Sequence, residues 1–244
     1  MKILSIGNSF AQDAHNLLHK IAIASDFEME TVNLYIGGCS LERHWNNVLS
    51  DKADYDLERN GGKGERKISL TEALEMDKWD IITMQQVSDF SGVPQSYIPY
   101  LTNLAELVRE KQPQAKIYFH QTWAYEIDSK HKAFPTYNNN QEEMFICTKD
   151  CSEMAAKLID VDVFPVGEVI QTLRNTLSEF DYAHGGKSLC RDGFHLTLDY
   201  GRFAAAATWF MILSKQDVNV EKFAGGDYDV CLLEKIVDVI KTVI

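Results

Sequence analysis

Short apolar runs alternate with longer amphipathic segments along most of the chain, and this alternation predicts strands and helices in turn. Short apolar runs that stop at Gly or Pro are typical of buried strands, and apolar residues three and four apart are typical of helices. The predicted strands are Lys2–Ile6, Thr31–Ile36, Asp80–Met84, Ala115–Trp123 and Asp162–Val166. The predicted helices are Ala11–Ser25, Ser40–Val48, Tyr97–Lys111, Gln141–Ile159, Val169–Leu177, Asp199–Ser214 and Tyr228–Val243.

Strands that alternate with helices indicate parallel pairing through right-handed crossovers, with helices on both faces of the sheet. The sequence therefore predicts one α/β domain over residues 1–244, a flavodoxin-like three-layer sandwich around a five-stranded parallel sheet of order 2-1-3-4-5. The polar, glycine-rich stretch 51–67 is predicted to be an exposed excursion, and a role as a lid stays open. Ligands of such sheets bind beyond the carboxyl ends of the strands, so the residues that follow each strand are the candidates for chemistry.

Composition narrows the function classes. The chain has 244 residues, of which 45% are apolar and 25% charged, which is ordinary for a folded globular protein. Its net charge of −12 lacks the basic footprint of a nucleic-acid binder and argues against binding to an anionic membrane surface. The acidity favours a neutral or small substrate.

The cysteines and the hydropathy of the chain define further expectations. Five cysteines at unpaired spacings predict free, buried thiols, and no second Cys or His pair stands at metal-ligand spacing. No segment reaches the roughly 18 apolar residues that a membrane span requires. The chain as given is expected to be cytoplasmic, and exported if an N-terminal signal has been removed. We expect no metal and no organic cofactor, and nothing in the sequence favours a particular oligomeric state.

Ser9 follows the first predicted strand directly, and a helix begins within two residues. This junction places the side chain at the carboxyl edge of the sheet and aims free N–H groups and the positive end of the helix at any bound group. A hydroxyl nucleophile benefits there because its own N–H helps to hold an oxyanion. The alternative interpretation is that Ser9 only caps the helix.

A second candidate is the motif Asp192-x-x-His195, which lies in the polar loop before the helix that begins at Asp199. A carboxylate three residues before an imidazole can reach one ring nitrogen across a tight turn. It would then fix the tautomer and stabilise the imidazolium, while the other nitrogen faces a nucleophile. Alternatively, His195 only caps the following helix.

A serine at the first strand–helix turn, together with an Asp-x-x-His before a late helix, resembles the SGNH (GDSL-like) hydrolase superfamily, in a bacterial branch whose members are mostly uncharacterised. The family's first block is Gly-Asp-Ser, and this chain has Gly7-Asn8-Ser9. Its last block is matched by Asp192 and His195. The resemblance implies that Ser9 is the nucleophile, His195 the base and Asp192 the residue that orients it.

The resemblance also implies an oxyanion hole with three donors. Two are the N–H of the nucleophile and a glycine N–H after the second strand, for which Gly38 fits and Gly37 competes. The third departs from the family's usual Gly-x-Asn-Asp block, because Gln85–Asp89 is similar to the Gln-Gly-Glu-Ser-Asp block of carbohydrate-esterase branches. A glutamine supplies the required amide. We favour Gln85 over Gln86, and the alternative is that both only cap strand ends.

Aromatic and polar side chains near these blocks are candidates for substrate binding. Trp123 and Tyr125 lie at the carboxyl end of the fourth predicted strand and can stack on a sugar ring, or they can pack in the core. His44 and Gln86 are further candidates to line the cleft, and surface packing is the alternative for His44. Arg191 pairs with a substrate carboxylate or, more simply, forms a surface salt bridge.

The resemblance thus implies a serine esterase that hydrolyses a small acyl ester through an acyl-enzyme, for example an O-acetyl group on a carbohydrate. The alternative is a catalytically silent carbohydrate-binding protein on the same scaffold, suggested by the departures at Asn8 and Gln85. A third interpretation is a nucleotide- or phosphate-binding protein, against which the absence of the Gly-x-Gly-x-x-Gly and Walker patterns argues. The expected partner is a small-molecule or carbohydrate ester, with no nucleic acid and no membrane.

Overall fold

The computed structural model describes residues 1–244, and its seven strands form one sheet of order β4-β3-β2-β1-β5-β6-β7. β2, β1, β5, β6 and β7 pair in parallel, and β3 and β4 form an antiparallel hairpin beside β2. The predicted α/β class and the order of the five parallel strands are therefore confirmed. The strands are β1 (Lys2–Gly7), β2 (Glu30–Tyr35), β3 (Tyr55–Arg59), β4 (Gly64–Ile68), β5 (Ile81–Met84), β6 (Lys116–His120) and β7 (Asp162–Phe164).

The predicted count of five strands is wrong, because the stretch 51–67 supplies β3 and most of β4. Tyr55 and Leu57 alternate into the core of β3, at 0% and 1% exposure. Asn60 and Gly61 turn the chain back with positive φ angles, which suit Asn and Gly. The charged residues 65–67 are exposed on the outer strand, where they discourage edge-to-edge pairing. This stretch is therefore an edge of the sheet and not a lid.

Nine α-helices connect and cover the strands. All seven predicted helices are present, one with the predicted bounds and six with shifted ends, and the short helices α3 and α8 are additions that the pattern did not predict. The helices are α1 (Ser9–Ala24), α2 (Leu41–Leu49), α3 (Leu70–Glu75), α4 (Tyr100–Lys111), α5 (Gln141–Ile159), α6 (Val166–Thr176), α7 (Tyr200–Ser214), α8 (Val220–Ala224) and α9 (Val230–Val243). None of them is long and apolar enough to span a bilayer.

Two hydrophobic clusters, one on each face of the sheet, account for the three layers. The residues of β1 alternate between them, since Ile3 packs with α1, α6, α7 and α9, whereas Leu4 and Ile6 pack with α2, α3 and α4. These clusters contain 40 and 26 buried residues, so both faces of the sheet are fully covered. What remains open to a ligand is the edge where the parallel strands end.

Candidate active site

The parallel strands end side by side, so the loops that follow them meet at one edge of the sheet. Gly7 at the end of β1 is in register with Tyr35 of β2. On the other side, Ile6 is in register with Met84 of β5, which is in register with Phe119 of β6. Such edges are where open α/β sheets bind their ligands.

Ser9 is the first residue of α1, and its hydroxyl is not used as a cap. Asn8 is the N-cap instead, because its side-chain oxygen accepts a hydrogen bond from the N–H of Phe10 at 3.0 Å. Ser9 is half-buried, and its Oγ lies 2.9 Å from Nε2 of His195. The structure therefore brings the predicted serine and the predicted histidine into hydrogen-bond contact.

Asp192 contacts the opposite side of the same imidazole. Its Oδ2 lies 2.8 Å from Nδ1 of His195, and its Oδ1 accepts the N–H of His195 at 2.8 Å and that of Phe194 at 3.3 Å. Partial burial raises the pKa of Asp192, but these hydrogen bonds outweigh it, so the net pKa lies below its ordinary value. The carboxylate is therefore charged at neutral pH and holds Nδ1 protonated, which leaves Nε2 as the acceptor towards Ser9.

The loop that carries Asp192 and His195 is closed at its base. Cys190 and Leu196 form an isolated antiparallel bridge, and the N–H of Arg191 donates to the carbonyl of His195 at 2.8 Å. Gly193 turns the tip with φ +88°, a left-handed conformation that favours glycine. We call residues 190–196 the histidine loop.

A second Asp-x-x-His occurs at Asp181 and His184, and its geometry is nearly the same. Nδ1 of His184 lies 2.8 Å from Oδ2 of Asp181. The His184 side chain is 82% exposed, and Asp181 is its only hydrogen-bond partner. The same Asp-x-x-His geometry therefore occurs twice in the protein. Only the pair Asp192 and His195 also contacts Ser9.

The two glutamines that follow β5 are both buried, at 1% exposure each. Nε2 of Gln85 donates to Oδ1 of Asn8 at 2.6 Å, which fixes the loop after β1. Gln86 accepts the N–H of Leu41 at 3.1 Å and donates to Ser96. Gln86 therefore supports α2 and does not line the cleft. One N–H of the Gln85 amide is engaged by Asn8, and a contribution of this amide to an oxyanion hole stays a prediction.

His44 and Trp123 are each 0% exposed, which corrects the prediction that they contact substrate. Nδ1 of His44 lies 3.0 Å from the hydroxyl of Tyr55, beneath α2, and burial lowers the pKa of His44 to about 3. Nε1 of Trp123 donates to the carbonyl of Phe194 at 2.7 Å, so this indole supports the histidine loop from below. Tyr125 is likewise fully buried.

The glycines that follow β2 are exposed, and neither of their N–H groups is used within the protein. Gly38 has φ +62°, and the neighbouring carbonyl of Cys39 accepts a hydrogen bond from Asn8 at 3.1 Å. This contact joins the turn after β2 to the loop that precedes Ser9. The glycine turn is therefore held beside the start of α1, as the sequence predicted for Gly38 and its competitor Gly37.

Several side chains that hold the histidine loop in place were not predicted from the sequence. Phe10 stacks on Trp123 with ring centroids 4.2 Å apart and lies 5.8 Å from the ring of His195. Asp13 is fully buried and binds Arg191, which the sequence had placed in a surface salt bridge or against a substrate. The available signal was that Asp13, four positions after Ser9, is the only acidic residue of α1.

No group of three or more His, Cys, Asp or Glu side chains is arranged to hold a metal ion. All five cysteines are free, but the prediction that they are buried is wrong for Cys147, which is half-buried, and for Cys231, which is exposed. Cys39 lies buried beneath the glycine turn. Burial raises the pKa of Cys39 to about 12, so this thiol is not a nucleophile at neutral pH. Among the groups at this edge of the sheet, the arrangement around Ser9 is the one suited to covalent chemistry.

The sequence matches a family described as a domain of unknown function, DUF4886, over residues 2–230. A crystal structure of a DUF4886 protein from Bacteroides uniformis is 36% identical, with a TM-score of 0.83, and the match covers 91% of this chain and 85% of that one. This chain belongs to the DUF4886 family. No curated protein matches the sequence.

More distant structures share the fold. A protein assigned to the SGNH hydrolases from Slackia heliotrinireducens is 18% identical over 87% of this chain and 98% of that one, with a TM-score of 0.58. The lipase/acylhydrolase from Enterococcus faecalis is 14% identical over 88% and 95% of the two chains, with a TM-score of 0.53. The predicted resemblance to the SGNH superfamily, in an uncharacterised branch, is thereby confirmed, and this DUF4886 protein has the SGNH-hydrolase fold.

Proposed function

We propose that this DUF4886 protein is a serine esterase that hydrolyses a small acyl ester through an acyl-enzyme. The observation that carries the proposal is the 2.9 Å contact between Ser9 Oγ and His195 Nε2, with Asp192 hydrogen-bonded to the far side of the imidazole. A nucleophile, its base and the group that orients the base are thus linked by two consecutive hydrogen bonds, which is the arrangement that activates a hydroxyl.

The reaction has two halves. Ser9 Oγ attacks the ester carbonyl while His195 Nε2 takes the hydroxyl proton, and the charge of Asp192 stabilises the imidazolium. The tetrahedral intermediate collapses to an acyl-Ser9, and His195 gives the proton to the departing alcohol. Water then attacks the acyl group with His195 as base, which releases the carboxylic acid and restores Ser9.

The oxyanion of the tetrahedral intermediate is held by backbone donors. The N–H of Ser9 lies in the first turn of α1, where N–H groups have no partner within the helix. The free N–H of Gly38 lies in the turn that Asn8 ties to the same loop. Two preorganised N–H groups and the positive end of α1 supply the electrostatic stabilisation that acyl transfer needs.

The proposed substrate carries a small acyl group, and a carbohydrate alcohol is one candidate for the leaving group. Trp123 and Tyr125, the two aromatic residues predicted to stack on a sugar ring, are each 0% exposed. The same observation weakens the alternative of a silent carbohydrate-binding protein. That alternative would gain support from tight glycan binding without turnover of acetylated xylan, acetylated sialate or simple esters.

The test is hydrolysis of p-nitrophenyl acetate by the wild-type protein and by Ser9→Ala. We expect the substitution to lower kcat by at least about 10³-fold, because it removes the nucleophile. Ser178→Ala, at an exposed serine, is the matched control and should keep full activity. A fluorophosphonate should label the wild-type protein at Ser9 alone. Full hydrolysis by a folded Ser9→Ala protein would refute the assignment of the nucleophile.

A further inference from the structure

We propose that Asp13 is a positioning residue for this reaction, because its carboxylate fastens the histidine loop to the helix that carries the nucleophile. The proposal rests on the proposed function. Asp13 has no exposed surface, although an isolated carboxylate is among the costliest groups to bury. Hydrogen-bond and ion-pair partners must therefore offset the cost of burying this carboxylate, and those partners indicate the role of Asp13.

Four donor contacts converge on this one carboxylate. Oδ1 accepts from Nη1 of Arg191 at 3.0 Å and from Nε of Arg202 at 2.8 Å. Oδ2 accepts from the N–H of Leu196 at 2.9 Å and from the same Nη1 of Arg191 at 3.2 Å. Arg191 also donates to the carbonyl of Leu196. The carboxylate thus binds both sides of the histidine loop and the first turns of α7.

The location of these contacts links them to the catalytic groups. Asp13 lies four residues after Ser9 in α1, so both side chains project from the same face of one helix. Arg191 directly precedes Asp192, and Leu196 directly follows His195. The base and the nucleophile are therefore both held in place by α1, and the distance between Ser9 and His195 depends on the contacts of Asp13.

The charge of Asp13 matters as well as its shape. Two guanidinium groups, with side chains 30% and 11% exposed, face this single buried carboxylate. Asp13→Asn is nearly isosteric but replaces one acceptor oxygen with an N–H₂ group, which then faces a donor. Charge-assisted hydrogen bonds in a buried site are stronger than neutral ones, so the amide cannot hold the loop equally well.

The first measurement compares the steady-state kinetics of wild type and Asp13→Asn on p-nitrophenyl acetate. We expect kcat to fall about 10- to 100-fold, because a displacement of the base by a fraction of an ångström impairs proton transfer. KM should change by less than about threefold, because Asp13 does not contact substrate. The rate of phosphonylation of Ser9 by a fluorophosphonate should fall in parallel with kcat.

A second measurement does not depend on catalysis. Hydrogen exchange of the peptide that contains residues 190–197, followed by mass spectrometry, should be faster in Asp13→Asn, because the neutral amide has only one acceptor oxygen and binds the histidine loop less tightly than the carboxylate. Glu58→Gln is the matched control. Glu58 is also buried, accepts from Gln12 of the same helix at 2.6 Å and does not contact the histidine loop. It should leave kcat and the exchange of that peptide unchanged.

If Asp13→Asn does not fold, Arg191→Gln takes its place, since it removes the guanidinium that binds Asp13 and keeps the bonds of Asp13 to the N–H of Leu196 and to Arg202. Unchanged kcat in a folded Asp13 or Arg191 variant would overturn the proposal, and so would unchanged exchange of the 190–197 peptide. Absence of both hydrolysis and labelling in the wild-type protein would instead refute the proposed function. Faster loop exchange in the variant would then show that Asp13 has only a structural role.

Discussion

Nε2 of Gln85 lies 2.6 Å from Oδ1 of Asn8, and this buried contact joins the end of β5 to the residue that precedes Ser9. The orientation of both amides follows from their neighbours. Oδ1 of Asn8 must face the N–H of Phe10, and its Nδ2 must face the carbonyl of Cys39, so the nitrogen of Gln85 is the atom that faces Asn8. Asn8 therefore connects three loops at the active-site edge.

Asn8→Ala is expected to lower the free energy of unfolding by about 2–3 kcal/mol. The helix loses its N-cap, and the buried amide of Gln85 and carbonyl of Cys39 lose their partners. Asn8→Asp keeps the cap and the acceptor for Gln85, so its loss should be smaller. Urea denaturation at pH 7 measures both values. Equal losses in the two variants would show that the bond to Cys39, and not the cap, dominates.

Asp192→Asn is expected to lower kcat by about 10²- to 10⁴-fold while the protein stays folded. The amide no longer stabilises the imidazolium and no longer holds Nδ1 of His195 protonated. Asp181→Asn makes the same change in the other Asp-x-x-His and should keep wild-type activity. Steady-state hydrolysis of p-nitrophenyl acetate compares the two variants. Similar activity in both would remove Asp192 from the mechanism.

Trp123→Phe is expected to lower kcat with little change in KM. A phenyl ring retains stacking on Phe10 but cannot donate to the carbonyl of Phe194, so the histidine loop loses one of its anchors. The unpaired carbonyl should also lower the free energy of unfolding by about 1 kcal/mol. Kinetics on an acetylated sugar separates this support role from sugar binding. A large rise in KM at unchanged kcat would restore Trp123 as a substrate-binding residue.

The protein is expected to lose stability as the pH falls from neutrality towards 4. Burial lowers the pKa of His15, His44 and His120 from 6.5 to about 3 in the folded state. Between those two values the unfolded chain binds protons that the folded protein excludes, so the free energy of unfolding decreases with falling pH. Each histidine contributes about 1.4 kcal/mol per pH unit within that window.

Urea denaturation between pH 7 and pH 4.5 measures this dependence. His120→Asn keeps an acceptor for Nε1 of Trp209, which donates to Nδ1 of His120 at 2.9 Å, and should reduce the slope by about one proton. Ser178→Ala, at an exposed serine, is the control and should leave the slope unchanged. A flat profile in the wild-type protein would mean that these histidines are accessible to protons in the folded state.

The apolar pattern was sufficient for the five parallel strands, because each is a short buried run that stops at a turn. It failed at β3 and β4, where only Tyr55 and Leu57 mark the buried side and the outer strand is charged. The edge strand β4 has one neighbour and little need for apolar residues, so it resembles a loop in sequence, and β3 then lacks a recognisable partner. The substrate-binding candidates failed for a related reason, because residue type does not distinguish a buried indole from an exposed one.

Local chemistry could be read from the sequence alone: a serine at a strand–helix junction, and a carboxylate spaced to hold one side of an imidazole. Such features depend on neighbours a few residues apart. The family resemblance implied His195 as the partner of Ser9, but the contact between their side chains, across 186 positions, is visible only in the folded protein. That contact depends on how α1, α7 and the histidine loop pack together, and on the buried charge of Asp13 between them, because long-range packing fixes distances that local spacing leaves open.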